Sequence, residues 1–212
     1  NLLDANFDAI FVGTGAPQGR WLEITGHDKT SGQVETGINW LSNVTFGHID
    51  SAPKRVVVLG GGNTAMDCCR TAKRLGAEEV TVLVRSSFDA MKASPWEKED
   101  AMAEGIDIKP NYTPLEYVFE GEEFKGVLFE RVESVYDKFG KRTLNSTGET
   151  LLVECDQVLV AVGQDTAFPW VERDIGLRFT KWGQPALNRT TLQSTIDSVF
   201  FGGDSAFGPE NI

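Results

Sequence analysis

Two hydrophobic patterns divide this chain. Residues 56–59 (VVVL) and 158–162 (VLVAV) are unbroken apolar runs, and residues 80–84 (VTVLV) are rich in β-branched side chains. Such runs mark strands covered on both faces, as in a parallel sheet. Residues 115–119, 125–135 and 150–153 instead alternate apolar and polar positions, with Gly121, Gly140 and Gly148 between them. That pattern predicts an antiparallel meander, able to cover one face of the parallel sheet. Residues 64–75 have helical spacing, and Gly76 supplies a stop. A second helix is predicted over 96–104, ended by Gly105, and a short strand over 106–109. Residues 9–12 and 199–201 read as further short strands. Residues 16–53 read as loop-rich, with a short helix near 34–43 and a hinge at Ser51, Ala52 and Pro53. Trp170, Phe179 and Trp182 read as packing residues. The expected fold class is α/β: a parallel sheet grown on a βαβ unit, plus a β meander.

The turn between the first apolar run and its helix carries the chemistry. It reads Gly60, Gly61, Gly62, Asn63, Thr64, Ala65. Gly60 lets the chain leave the strand sharply. Gly62 has no Cβ, so a pyrophosphate can approach the backbone. Ala65 is small enough for close packing of helix on strand. This is the Gly-x-Gly-x-x-Gly/Ala fingerprint of a Rossmann-like dinucleotide site, in its strand–turn–helix context. Phosphates would meet the N–H groups and the positive dipole end of the helix. The competing reading is a tight turn with no ligand. Gly163 and Gln164, at the end of the third run, would lie near the nicotinamide, because open α/β sheets bind ligands at the carboxyl ends of strands. The second strand ends in Arg85, Ser86 and Ser87, where an NAD site would carry an acid for the ribose 2′-OH. A guanidinium and hydroxyls suit a 2′-phosphate, which favours NADP(H) and leaves NAD(H) open.

Composition narrows the remaining classes. The 212 residues are 41% hydrophobic and 24% charged, ordinary for a globular chain. A formal net charge of −11 argues against nucleic-acid binding. No apolar run approaches the ~20 residues of a membrane span. The three cysteines, Cys68, Cys69 and Cys155, form no Cys-x-x-Cys. They are expected to be reduced, buried and cytoplasmic, and cannot build a dithiol centre or an iron–sulfur cluster by themselves. His27 and His48 lack metal-ligand spacing and read as surface or hinge residues. Neither a metal ligand set nor a catalytic acid, base or nucleophile stands out.

Residues 7–15 (FDAIFVGTG) and 155–163 (CDQVLVAVG) form a weak internal repeat, suggesting two related strands. Residues 56–85, 156–164 and 199–209 (VFFGGDSAFGP) make the chain resemble the pyridine-nucleotide half of the glutamate synthase small (beta) subunit. The same module is known in dihydropyrimidine dehydrogenase and related flavoproteins. The resemblance runs from about residue 7 to residue 209. It implies an NAD(P)H domain inserted into an FAD domain. Residues 1–53 would end the first FAD section and supply a hinge, residues 54–163 would be the NAD(P)H-binding domain, and residues 164–212 would return to the FAD domain. Gly203 and Asp204 would serve FAD, with Asp204 on the ribityl hydroxyls. The chain departs from the family in two ways. Its Gly13-Thr14-Gly15-Ala16 turn does not open a helix, so it is no substitute for the family's main FAD fingerprint, and the second arginine often found after the strand is Ser86 here. Asn1 and the closing residues 208–212 suggest a piece of a longer polypeptide. What the resemblance implies is hydride passage between NADP(H) and FAD, with iron–sulfur centres outside this chain or on a partner subunit. The alternative is a non-catalytic NADP(H)-binding sensor or interaction module. A thioredoxin-reductase-like disulfide enzyme would need the missing Cys-x-x-Cys. A direct NADP-linked dehydrogenase would need a proton-relay His or Tyr, and none stands out.

Overall fold

Val56, Val57, Val58 and Leu59 are all buried, and the computed structural model of the protein shows why none of them is polar. The structure describes residues 2–209. Asn1 and residues 210–212, on which part of the expected interruption rests, lie outside them. The elements used below are β1 Ile10–Val12, β2 Val34–Thr36, α1 Gly37–Thr45, β3 Arg55–Leu59, α2 Asn63–Arg74, β4 Glu79–Val84, α3 Pro95–Ala103, β5 Asp107–Pro110, β6 Tyr112–Glu120, β7 Glu123–Tyr136, β8 Arg142–Glu154, β9 Gln157–Val160, β10 Val199–Phe201 and α4 Asp204–Phe207. Contacts group them into two units, Gly19–Gly163 on one side and Asn1–Gln18 with Gln164–Ile212 on the other.

The larger unit holds a five-stranded sheet in the order β2-β9-β3-β4-β5, with every pairing parallel. Successive strand residues point to opposite faces, and both faces are covered. Val56 and Val58 join Val80, Val82, Val84 and Leu159 against Trp40 of α1, Met66 and Ala72 of α2 and Ala101 of α3. Val57 and Leu59 join Leu83, Val158 and Val160 against Tyr117, Val127 and Phe129 of the antiparallel meander β6-β7-β8. The meander therefore covers one face of the sheet. Arg70 fastens α2 to α3 by bridges to Glu97 (2.7 Å), Asp100 (3.1 Å) and Glu104 (2.8 Å).

Two expectations need correction here. The stretch near 34–43 is a strand followed by a helix, not one helix, because Val34, Glu35 and Thr36 pair with Val158, Leu159 and Val160. Both elements belong to the contact unit Gly19–Gly163. The expected hinge is internal to it: the Ala52 N–H donates to the Leu75 carbonyl (3.0 Å), and Ala52 packs on the helix-side core.

At the amino ends of β3 and β9 the Asp156 carboxylate accepts from the Arg55 guanidinium (2.7 Å) and from the Arg55 backbone N–H (3.0 Å). The guanidinium bond, chiefly, holds the Asp156 carboxyl below the usual aspartate range. A carboxylate with a depressed folded pKa stabilises above its unfolded pKa and loses that contribution as pH falls through the folded value. Asp156→Asn is expected to cost about 1 kcal/mol at neutral pH, a modest figure because the pair is partly solvated. Denaturation of both proteins across the acid range should show the difference closing below the ordinary aspartate pKa. A difference constant with pH would refute the assignment.

In the smaller unit β1 and β10 pair in parallel, Ile10 with Val199 and Val12 with Phe201. Their buried faces meet Phe168, Val171, Leu177 and Ala206, with Phe179 packed alongside. Of the three expected packing aromatics, Phe179 packs on this core; Trp170 is exposed but meets Phe168 edge-on (ring centroids 6.2 Å apart), and Trp182 is exposed. Among the described residues no helix is long and apolar enough to cross a membrane.

Candidate functional site

The order of the parallel sheet reverses between β3 and β9. From β3 the chain steps through α2 to β4, while β9 lies on the other side of β3. The carboxyl ends of these two strands flank the crevice where an open α/β sheet offers a ligand site. Gly60 follows β3 with φ +136°, and its backbone N–H donates to the Leu83 carbonyl (3.2 Å). A Cβ there would lie 2.2 Å from the Ala161 carbonyl oxygen. The glycine is thus demanded by close approach of the two strand ends as well as by the turn.

The next residues divide their labour. The Gly61 carbonyl accepts from the Ala93 N–H (2.9 Å), and a Cβ at Gly61 would touch Val84 at 3.0 Å. Gly62 caps α2 in extended conformation, φ −101° and ψ 178°. A Cβ on Gly62 would meet nothing within 4 Å, and no side chain caps this helix. Asn63 Oδ1 accepts from the Ser94 N–H (2.9 Å), so that side chain holds the loop after β4 against the start of α2. Thr64 is half-buried in the first turn. Ala65 is completely buried. A helix start with a glycine cap and no side-chain cap, beside an open backbone, matches what a pyrophosphate requires.

Arg85, exposed, and Ser86, half-buried, follow the last residue of β4 and so stand at the same sheet edge. The Ser86 carbonyl accepts from the Asn111 N–H (3.0 Å), and the Arg85 carbonyl accepts from Arg142 Nη2. Gly163 has φ +137°, and its carbonyl accepts from the Arg20 N–H (3.0 Å). A Cβ at Gly163 would press on Arg20 Cδ at 3.3 Å. Arg20 and Arg142 were not picked out from sequence. Nothing local signals either one, since each reaches the sheet edge through chain folding. Gly60, Gly61, Gly62, Asn63, Thr64, Ala65, Arg85, Ser86 and Gly163 therefore belong to one unit and one sheet edge. Gln164, Gly203 and Asp204 belong to the smaller unit.

In that unit, residues 13–17 after β1 open no helix, as expected from Pro17. Asp204 is half-buried at the first position of α4, after Gly203 with φ +60°. Ser205, fully buried, donates to the carbonyls of Val12 (2.9 Å) and Gly202 (2.7 Å) and so ties the α4 turn to β1.

The thiols take no part. Cys68, Cys69 and Cys155 are buried and unbridged. Burial raises all three thiols, Cys69 to about 12, so they stay protonated and poorly nucleophilic at neutral pH. No cluster of metal-ligating side chains exists among the described residues. His27, expected at the surface or a hinge, is half-buried between Trp21 and Tyr117, with ring centroids 5.5 and 6.2 Å away.

A family model described as pyridine nucleotide-disulphide oxidoreductase matches residues 2–212. The chain belongs to that family. Among curated members it is 33% identical to the NADPH-Fe(3+) oxidoreductase subunit beta of Geobacter sulfurreducens over 98% of its own length and 34% of that protein. It is 31% identical to the glutamate synthase [NADPH] small chain of Halomonas elongata, over 96% of its length and 46% of that chain. This member therefore spans under half of the curated relatives it matches. Among solved structures, Mycobacterium tuberculosis FprA in complex with NADPH superposes with a TM-score of 0.73 at 17% identity, covering 100% of this chain and 61% of FprA. That likeness establishes the shared α/β fold. The family membership agrees with the resemblance read from the three motifs.

Proposed function

We propose that this chain is the NADP(H)-handling part of an FAD-dependent oxidoreductase. The observation that carries the reading is the open, Cβ-free backbone at Gly62, which caps the start of α2 with no side-chain cap, beside the crevice between β3 and β9. When bound, the nicotinamide and flavin supply the hydride chemistry. The residues of the chain bind and orient. Gly60 and Gly61 shape the turn, and the backbone around Gly62, Asn63 and Thr64 meets the pyrophosphate. Ala65 lets α2 sit close to β3. Arg85 and Ser86 take the 2′-phosphate by charge-assisted hydrogen bonds. Gly163, which follows β9 in the larger unit, and Gln164, the next residue, would lie near the nicotinamide side. Gly203 and Asp204 would contribute to the FAD site of the whole protein, with Asp204 accepting from ribityl hydroxyls. No side chain of this chain is assigned proton transfer.

The two relatives named above are each a subunit or small chain of a larger oxidoreductase by name. That supports a partner subunit or further domains, to which this reading assigns the remaining FAD-binding segments and the iron–sulfur centres. Three buried, unbridged thiols support a reducing compartment such as the cytoplasm.

Calorimetric titration of the full protein with NADPH and NADH tests the reading. NADPH should bind more tightly, and Arg85→Ala should weaken NADPH about tenfold while leaving NADH unchanged, the loss of one hydrogen-bonded charge. Binding of neither nucleotide would overturn the proposal. Tighter NADH binding, indifferent to Arg85, would overturn the choice of cofactor.

A further inference from the structure

We infer that Arg142 completes the 2′-phosphate subsite, delivered to the end of β4 by the meander. The inference rests on the NADP(H) reading above. Arg142 opens β8, opposite Tyr136 of β7 beside the turn of the hairpin, and is 57 residues from Arg85 in sequence. Its Nη2 donates to the Arg85 carbonyl, and its Nε donates to Ser134 Oγ (2.9 Å). Two bonds at different nitrogens fix the plane of the guanidinium. They use two of the five N–H donors an arginine carries, and the planar fork suits a phosphate.

Charge pairing differs among the arginines of the larger unit. Arg55, Arg70, Arg74 and Arg131 each hold an Asp or Glu. Among the described residues no carboxylate pairs with Arg85 or Arg142. In a chain with a formal net charge of −11, two arginines without a carboxylate meet at one strand end. That end is where the adenine-side ribose of a dinucleotide is read. A bare carbonyl at the end of β4 would repel a 2′-phosphate. Arg142 covers the Arg85 carbonyl with positive charge, and the Asn111 N–H covers the Ser86 carbonyl (3.0 Å). Both donors belong to this excursion, Asn111 just before β6 and Arg142 at the start of β8. The excursion that covers one sheet face thereby also converts the edge of the site from repelling to attracting an anion.

A purely structural tie between β8 and β4 predicts different results, and Arg142→Gln separates the two. Glutamine keeps an amide donor for the carbonyl and loses the charge. The full protein and its variants would be titrated calorimetrically with NADPH and NADH, and with 2′,5′-ADP against 5′-AMP. Arg142→Gln is expected to weaken NADPH and 2′,5′-ADP about tenfold, leave NADH and 5′-AMP within about twofold, and retain the wild-type melting temperature. Arg142→Lys should recover part of the loss, since it restores the charge without the fork. Equal weakening of both nucleotides, or an unchanged NADPH-to-NADH ratio, overturns the inference. If Arg85→Ala still lowers NADPH binding in that case, the NADP(H) reading survives alone. A wild-type protein that binds neither nucleotide or prefers NADH overturns both.

Discussion

Gly60→Ala should destabilise the larger unit by about 3 kcal/mol or more, enough to unfold a marginal domain. Two costs combine at this position. Its φ of +136° lies where an L-residue is strained. The added methyl would also stand 2.2 Å from the Ala161 carbonyl oxygen and 2.8 Å from the carbonyl carbon. That carbonyl is backbone and cannot rotate away as a side chain would. The Ala161 N–H donates to the Leu59 carbonyl (2.7 Å), which pins the same peptide segment to β3. Relief would therefore require β3 and β9 to part at the centre of the sheet, disturbing both cores at once. Chemical denaturation followed by circular dichroism would measure the loss. A midpoint within error of wild type would mean that the strand ends sit farther apart than described.

Gly62→Ala should do the opposite: leave stability nearly unchanged and weaken NADPH binding about a hundredfold. The φ of −101° is ordinary for alanine, and its methyl meets nothing within 4 Å. Alanine gains a few tenths of a kcal/mol by restricting the unfolded chain and gives back a similar amount as a poorer helix cap. The net change in stability should lie within about 0.5 kcal/mol. The methyl would instead occupy the space through which a pyrophosphate approaches the backbone, lengthening several charge-assisted hydrogen bonds together. Calorimetry with NADPH and a thermal melt on the same sample give both numbers. Wild-type affinity in Gly62→Ala would show that the turn is structural and carries no phosphate. The two glycines, two positions apart in one motif, should thus separate folding from binding.

The candidate site was legible in the sequence to different depths. The phosphate turn could be read because its requirement is local: a strand, small residues at fixed offsets, then a helix. The separate roles of its glycines could not. That Gly60 answers to Ala161 is known only once β9 lies beside β3. The motif offers Asn63 to the pyrophosphate without showing that its side-chain oxygen accepts from Ser94 across the next loop, which leaves the backbone for that role. Arg85 stands out as the residue after a strand. Arg142 looks like any charge on a hairpin until the meander folds back to the end of β4. The exposed Trp170 and Trp182 show the same limit, because size and hydrophobicity bias a residue inward without deciding which side of the backbone faces a core.

The sequence by itself determined what short-range physics controls. Unbroken apolar runs required strands covered on both faces, alternating runs required a sheet with one dry side, and glycines punctuated the βαβ unit. Tertiary structure decided what depends on partners distant along the chain. Val34–Thr36 is a strand because β9, over a hundred residues later, offers it a parallel edge. Three residues have too little periodicity of their own to choose between helix and strand, so backbone hydrogen bonding to a remote neighbour made the choice. The same distant pairing ties residues ahead of the expected hinge into the unit Gly19–Gly163, which encloses that hinge.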